Sequence, residues 1–221
     1  MGPAAVTFDL DDTLAVVERP RTVLLEDAAM SVGAPSLSRQ AYLETHASVN
    51  PRDTRAPIFE RLLDDVEADG ADPEDLAVAY RQTIGTHLRP VDGVEAMLDK
   101  LDETVGLGLI TNGPERAQRD KLERLGWTDR FDTVVISGRV GVAKPDPRPF
   151  EVACDRLGVD PAEAIHIGDQ PVADIMGARQ AGMDAIYVGD DPEGVPDDVP
   201  HIPVDHLAMH LPDRILQKSL A

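Results

Sequence analysis

Three rhythms of apolar and polar positions divide the chain. Near the N-terminus a short strand-forming run, Val6-Thr7-Phe8, stops abruptly at Asp9-Leu10-Asp11-Asp12-Thr13-Leu14. Over residues 15–89 apolar side chains recur at helical spacing: Val23, Leu24, Ala28 and Met30, then Ile58, Phe59, Leu62, Leu63 and Val66. Gly33-Ala34-Pro35, Asn50-Pro51 and the stretch from Gly70 to Pro73 interrupt that pattern. Ser38, Asp53 and Asp72 stand where helix N-caps belong, and Pro73 suits a first helical turn. This part of the chain predicts three or four helices and no strand.

From Pro90-Val91-Asp92-Gly93 onward, short apolar runs alternate with amphipathic ones. Strands are predicted at 105–110, 133–137, 164–167 and 185–188, and helices at 94–103, 115–125, 150–157, up to about 181, and 204–216. Repeated βα units with near-continuous apolar strands imply a parallel sheet covered on both faces. The reading is an α/β chain with a Rossmann-like doubly wound sheet, built from 1–14 and 90–221 and interrupted by an all-α insertion over 15–89. Residues 190–200, acidic and rich in proline and glycine, read as loop.

Composition narrows the partners. The chain has 221 residues and a formal net charge of -20, which disfavours nucleic acids and anionic membranes. Lysines are few (Lys100, Lys121, Lys144 and Lys218), and an acidic, lysine-poor surface suits a halophilic protein, whose self-repulsion concentrated salt screens. Cys154 is the single cysteine, so no intramolecular disulfide forms; its helical, apolar setting reads as a small buried hydrophobe in a reducing, cytoplasmic environment. No run approaches the length of a membrane span. Nothing in the pattern sets an oligomeric state.

The chemistry collects where strands end. The first strand ends in Asp9, Asp11 and Asp12, the second in Thr111-Asn112-Gly113, and a later one in Gly168-Asp169 with Asp174 close behind; Lys144 follows the third in Gly141-Val142-Ala143-Lys144-Pro145-Asp146. Parallel strands bring these ends to one edge, where open α/β sheets bind ligands. Asp9 and Asp11 share one face of extended backbone and could grip a hard dication through oxygen. Thr111, backbone amides near Asn112 and Lys144 would bind a tetrahedral dianion. Taken alone, the first motif is also compatible with a strand followed by an acidic turn in which Asp12 or Thr13 caps a helix.

Four motifs in this order resemble those of the haloacid dehalogenase superfamily, in its phosphatase branch with a helical (C1-type) cap: Asp9-Leu10-Asp11-Asp12-Thr13, Thr111, Lys144, and Gly168-Asp169 with Asp174. The resemblance implies a Mg²⁺-dependent phosphatase for a small phosphorylated metabolite, such as phosphoglycolate or a sugar phosphate. It implies Asp9 as nucleophile, Asp11 as acid and base, and Thr111, Asn112 and Lys144 at the phosphoryl group. Asp9, Asp169 and the main-chain carbonyl of Asp11 would hold the metal, with Asp174 supporting Lys144 or a metal-bound water rather than ligating directly. Asp12 would shape the turn, and Thr13 would hydrogen-bond within it. Related caps place an arginine near a helix start facing the site; Arg55, and less so Arg52, stands at the corresponding place. His166, inside a strand, reads as a satisfied core histidine, and Trp127 as packing beyond a helix end. Asp11 disfavours a 2-haloacid dehalogenase, since carbon–halogen displacement needs no acid for the leaving group. A phosphomutase and a non-catalytic phospho-acceptor remain as alternatives.

Overall fold

In the computed structural model, which describes residues 2–49, 51–66 and 70–217, the alternating apolar runs form one parallel sheet. Its strands are β1 (Ala5–Phe8), β4 (Gly106–Thr111), β5 (Thr133–Ile136), β6 (Ala164–Gly168), β7 (Asp184–Val188) and β8 (His201–Ile202). A short antiparallel pair, β2 (Ala15–Val17) and β3 (Leu88–Pro90), stands apart. The helices are α1 (Arg21–Ser31), α2 (Arg39–Val49), α3 (Ala56–Asp65), α4 (Pro73–His87), α5 (Val94–Asp102), α6 (Glu115–Leu125), α7 (Ser137–Val140), α8 (Arg148–Leu157), α9 (Gly177–Gln180) and α10 (Leu207–Gln217).

The sheet order is β5-β4-β1-β6-β7-β8, with every neighbouring pair parallel, so β1 lies between the strands that carry the second and fourth motifs. The two-residue period assigns its faces. Val6 and Phe8 join Leu107, Leu109, Ile165 and Ile167 in a core closed by α5 and α10. Ala5, Ile110, Val135 and Ala164 face the opposite way, against Phe150, Ala153 and Cys154 of α8 and Ala178 of α9. Cys154 is buried there, as its pattern predicts. Trp127, 3% exposed, packs beyond the α6 C-cap glycine, Gly126, whose φ is 73°.

The insertion has its own core. Leu24 and Leu25 of α1, Tyr42 of α2, Ile58, Phe59, Leu62 and Leu63 of α3, and Leu76, Tyr80 and Ile84 of α4 form a separate cluster. The rings of Tyr42, Phe59 and Tyr80 meet at centroid distances of 5.4 to 5.9 Å. Met30 and Val66, predicted to point inward, are exposed, and Leu25 and Ala29 take the inward positions on α1.

Local expectations differ in several places. The stretch predicted to lack strands begins at β2 and runs into β3, and Ala15, Val16 and Val17 pair with Pro90, Arg89 and Leu88 where the insertion joins the sheet. Asp72 caps α4, accepting from the amides of Glu74 and Asp75, and Ser38 accepts from Ala41 at the start of α2. Asp53 caps nothing: Thr54 Oγ1 accepts the Ala56 amide instead, and α3 starts three residues later than Asp53. Strand β8 is too short to leave a periodic signal, and α7 is a single turn after β5. The segment after Asp169 is a wide π-type turn, Pro171–Met176, running into α9. Asn50, first residue of a predicted break, lies outside the described residues.

Candidate active site

Strand β1 extends past its last paired residue through the Asp9 amide, which donates to the Ile167 carbonyl at 2.8 Å. That bond carries Asp9 to the sheet edge. Asp12 then adopts a positive φ of 61°, with its amide donating to Ala15, and the chain turns back into β2. Thr13 is fully buried, and its hydroxyl donates to Asp169 Oδ1 at 3.3 Å; the expected bond within the turn is replaced by one to the neighbouring strand end.

Lys144 enters the edge from the loop between α7 and α8. Its backbone is clamped by the Asn112 side chain, whose Nδ2 donates to the Lys144 carbonyl at 3.0 Å and whose Oδ1 accepts the Lys144 amide at 2.9 Å. The Asn112 side chain is thus committed to Lys144, which leaves only its backbone for the phosphoryl contact the sequence predicts. Lys144 Nζ lies 2.7 Å from Asp9 Oδ1, 2.5 Å from Asp174 Oδ1 and 2.7 Å from the Ile110 carbonyl. Burial would release this proton, but Asp174 and Asp9 hold it and push the ammonium well above its ordinary value.

Asp174 has both oxygens engaged: Oδ1 by Lys144 and His166, Oδ2 by the Gln170 amide. Burial opposes its charge, yet Lys144 and His166 keep the carboxyl well below the usual range. His166 is fully buried and satisfied. Because Asp174 only accepts, His166 Nε2 carries the proton toward it, leaving Nδ1 to accept from the Thr7 hydroxyl at 2.9 Å. Burial lowers the imidazole pKa, so the ring is neutral. Gly168 makes this possible, because a Cβ there would collide with the Asp174 carboxyl group.

Asp9, Asp169 and Asp174 bring carboxylate oxygens within 4.8 Å of one another. Burial, then repulsion from neighbouring carboxylates against the pull of Lys144, raises the Asp9 pKa well above its ordinary value; burial and Asp174 push Asp169 up to about 6. Crowded, under-neutralised hard oxygens fit a divalent cation such as Mg²⁺. Asp174 has both oxygens taken, one of them by Lys144 and His166. Asp9 pairs with Lys144 through Oδ1 alone, and Asp169 accepts only from the neutral side chains of Thr13 and Gln170. Asp9 and Asp169 are therefore the carboxylates better placed to ligate the cation.

The carboxylate of Asp11, expected at the metal only through its carbonyl, turns away from this group. Its Oδ2 lies 2.5 Å from Lys121 Nζ and 3.0 Å from Gln118 Nε2, and its Oδ1 lies 3.1 Å from the Arg21 guanidinium. These cations outweigh burial and hold its carboxyl far below the usual range. Burial, with Arg55 and Arg21 nearby, brings Lys121 down to about 8 even beside Asp11. Gln118 Nε2 also reaches Thr111 Oγ1 at 2.5 Å, linking the second motif to the first. Sequence reasoning missed Arg21, Gln118 and Lys121. The available signal was two polar residues, Gln118 and Lys121, on the buried stripe of α6 beside Ala117 and Leu122.

A cavity of about 380 Å³ lies over these groups, walled on one side by the sheet edge and on the other by the insertion. Arg55, 8% exposed, lines it, as does Arg39, which the sequence did not single out. Arg52 is exposed and does not line it. The backbone of Arg52 instead holds the insertion against the sheet: its carbonyl accepts the Glu115 amide at 2.7 Å, and that of Asp53 accepts the Arg116 amide at 3.2 Å. Gly138 leaves room for this approach, since a Cβ there would collide with the Arg52 carbonyl.

The family model for haloacid dehalogenase-like hydrolases matches residues 3–182. The chain belongs to that family. It is 35% identical over 223 residues to a glyceraldehyde 3-phosphate phosphatase of Methanopyrus kandleri, covering 91% of this chain and 92% of that one. It is 36% identical over 183 residues to a phosphoglycolate phosphatase of Xylella fastidiosa, covering 82% and 78%. Among solved structures, a 2-haloacid dehalogenase from Pseudomonas syringae aligns with a TM-score of 0.68 at 28% identity, covering 98% and 99%. The expected family and fold are thus both present, and no described helix is long and apolar enough to cross a membrane.

Proposed function

We propose that this chain is a Mg²⁺-dependent phosphatase that hydrolyses a small phosphorylated metabolite, phosphoglycolate-like or sugar-phosphate-like, through an aspartyl-phosphate on Asp9. The observation that carries this reading is the convergence of Lys144, Asp9 and Asp169 beside Thr111 at one sheet edge. The named phosphatase relatives support the substrate class.

In this reading Asp9 attacks phosphorus in line, the ester P–O bond breaks, and the departing oxygen takes a proton from Asp11. Water then gives a proton to the Asp11 carboxylate and attacks phosphorus, and the bond to Asp9 breaks to release inorganic phosphate. Arg21 and Lys121 favour ionised Asp11, which suits the second step. In the first step the incoming phosphate dianion competes for those cations and lets Asp11 carry its proton. Thr111 and Lys144 bind phosphoryl oxygens and stabilise the transition state. Asp9, Asp169 and the Asp11 carbonyl would hold Mg²⁺, which would supply neutralisation between the anionic nucleophile and the phosphate dianion.

Residues 15–89 act as a cap over a catalytic core of 1–14 and 90–221; their separate hydrophobic cluster and paired connecting strands, β2 and β3, support this division. The acidic, lysine-poor composition supports work in salt-rich cytoplasm. A melting temperature that does not rise between low and molar salt would remove that support.

The phosphatase reading is tested with p-nitrophenyl phosphate and Mg²⁺. Wild type releases p-nitrophenol, and Asp9→Asn does not. A folded wild-type protein without turnover at any salt concentration overturns the reading. The likeness to a 2-haloacid dehalogenase makes halide release from a chlorinated carboxylic acid the matching control. Asp11 and its cations argue that none is released. A phosphomutase would instead return an isomeric phosphate ester.

A further inference from the structure

Gln118 is a neutral polar residue on the buried stripe of α6, at the fourth position of the helix, and is 1% exposed. Helical side chains lean toward their own N-terminus, so Gln118 reaches back over the turn that joins β4 to α6. A buried amide is costly to the fold unless it is bonded. Here Nε2 has three oxygens within reach: Asp11 Oδ2 at 3.0 Å, the Asn112 carbonyl at 3.2 Å and Thr111 Oγ1 at 2.5 Å.

Two of these partners decide which way the amide faces. The Asp11 carboxylate and the Asn112 carbonyl only accept, so an amide oxygen in this place would repel both, and the NH2 group must face them. An amide nitrogen has no lone pair to offer, so the Thr111 hydroxyl cannot donate to it and can only accept. Among the described residues no other group takes the Thr111 proton, and Thr111 lines the cavity. That proton is therefore left for a ligand. The NH2 group and Lys121, one turn further along α6, also meet on a single oxygen of Asp11, Oδ2, while Arg21 takes Oδ1. One side chain thus sets both the direction of the Thr111 proton and the rotamer of Asp11.

We propose that Gln118 is a positioning residue for phosphoryl transfer. Its amide turns the Thr111 hydroxyl proton toward the phosphoryl group and holds the Asp11 carboxylate where it can serve the leaving oxygen. This deepens the phosphatase reading and rests on it for the roles of Thr111 and Asp11. With its NH2 group committed to these oxygens, Gln118 acts through the two residues and not on the substrate. The role requires a group that donates and cannot accept, which separates glutamine from a glutamate of the same shape.

The test uses the full chain with Mg²⁺ and two esters, p-nitrophenyl phosphate and phosphoglycolate. In kcat/KM, which covers the steps up to the aspartyl-phosphate, an alkoxide needs a proton to depart and p-nitrophenolate does not. Gln118→Met keeps the volume and removes the donors. It lowers kcat/KM by about ten- to a hundredfold, with the larger loss on phosphoglycolate. Thr111→Val lowers both esters alike, and adding Gln118→Met to it costs less on p-nitrophenyl phosphate than Gln118→Met costs alone. Gln118→Glu does worse than Gln118→Met, because the new carboxylate captures the Thr111 proton and repels Asp11. If Gln118→Met fails to fold, Gln118→Asn, which sets the amide back by one methylene, shows the same ranking of esters. Equal losses on the two esters, full additivity with Thr111→Val, or unchanged kinetics overturns the proposal.

A second measurement does not depend on turnover. With Mg²⁺ present, inorganic phosphate raises the wild-type melting temperature, and raises it less in Gln118→Met and in Thr111→Val. The double variant loses no more of this response than Thr111→Val alone. An undiminished response in Gln118→Met, or losses that add in full, means a glutamine that only fills the core and overturns the proposal. If neither ester is hydrolysed but the phosphate responses follow this pattern, the phosphatase reading fails while the hold of Gln118 on Thr111 survives. A folded wild type that neither hydrolyses an ester nor responds to phosphate overturns both.

Discussion

The ammonium of Lys144 sits 2.7 Å from Oδ1 of Asp9, although 135 positions separate the two residues in the chain. Both side chains are more than nine-tenths buried, so each charge relies on the other. Lys144→Gln therefore strands the carboxylates of Asp9 and Asp174, at a cost of roughly 3 to 5 kcal/mol. Denaturant unfolding measures that cost. Phosphatase turnover falls by about a hundred- to a thousandfold. A variant of unchanged stability would show that the pair is not buried in solution.

Gly168→Ala tests the pocket behind Lys144. The new methyl group has no space except that held by the Asp174 carboxyl, so Asp174 moves and Lys144 loses a partner. We expect a loss of about 1 to 3 kcal/mol, typical of overpacking. Turnover should fall by about tenfold or more, as when a supporting partner is removed. Unchanged kinetics would mean that Asp174 does not hold Lys144 in its working position.

His46 gives a pH signature. Its folded value is down at about 4 while the unfolded chain keeps the ordinary 6.5, so between these values the unfolded state binds more protons. Stability is therefore lost as pH falls through 6.5 toward 4, and this contribution is constant above that window. His46→Gln removes this dependence. The gap between the two proteins should change by roughly 2 to 3 kcal/mol across the window, read by unfolding at several pH values. Parallel stability curves would contradict the half-buried, cation-facing setting of His46 near Arg55 and Arg39.

Metal binding has a readout independent of turnover. Mg²⁺ should raise the melting temperature, with a stabilisation of about 2.7 kcal/mol when free metal is a hundred times its dissociation constant. Asp169→Asn should lose most of this response. A full response in that variant would place the ion elsewhere.

Much of this was legible because the site is assembled from strand ends. A period of two, breakers after each strand and parallel topology suffice to bring Asp9, Thr111, Lys144 and Asp169 to one edge, and those residues do meet there. Contacts that cross between elements left little local trace. Arg21 reaches Asp11 from the first residue of α1 with no periodic signal, and Lys121 reaches it from α6, where only its polar side chain on a buried stripe marked it. Arg39 was hidden for a similar reason, since its setting depends on how α2 leans on α4 through Tyr42 and Tyr80. Strands β2 and β3 were missed because three-residue strands carry too few positions to show alternation.

The carbonyls of Arg52 and Asp53 finish the first turn of α6 from outside, since they accept the amides of Glu115 and Arg116. A helix normally finds such acceptors in its own preceding loop. Here they are on loan from the insertion, and α6 carries Gln118 and Lys121 to Asp11. Lifting the insertion to admit a molecule would leave two amides to water and loosen the turn on which the companions of Asp11 ride. Entry and readiness would then be opposite phases of one movement: an open gate would slacken the machinery, and shutting it would wind the machinery taut.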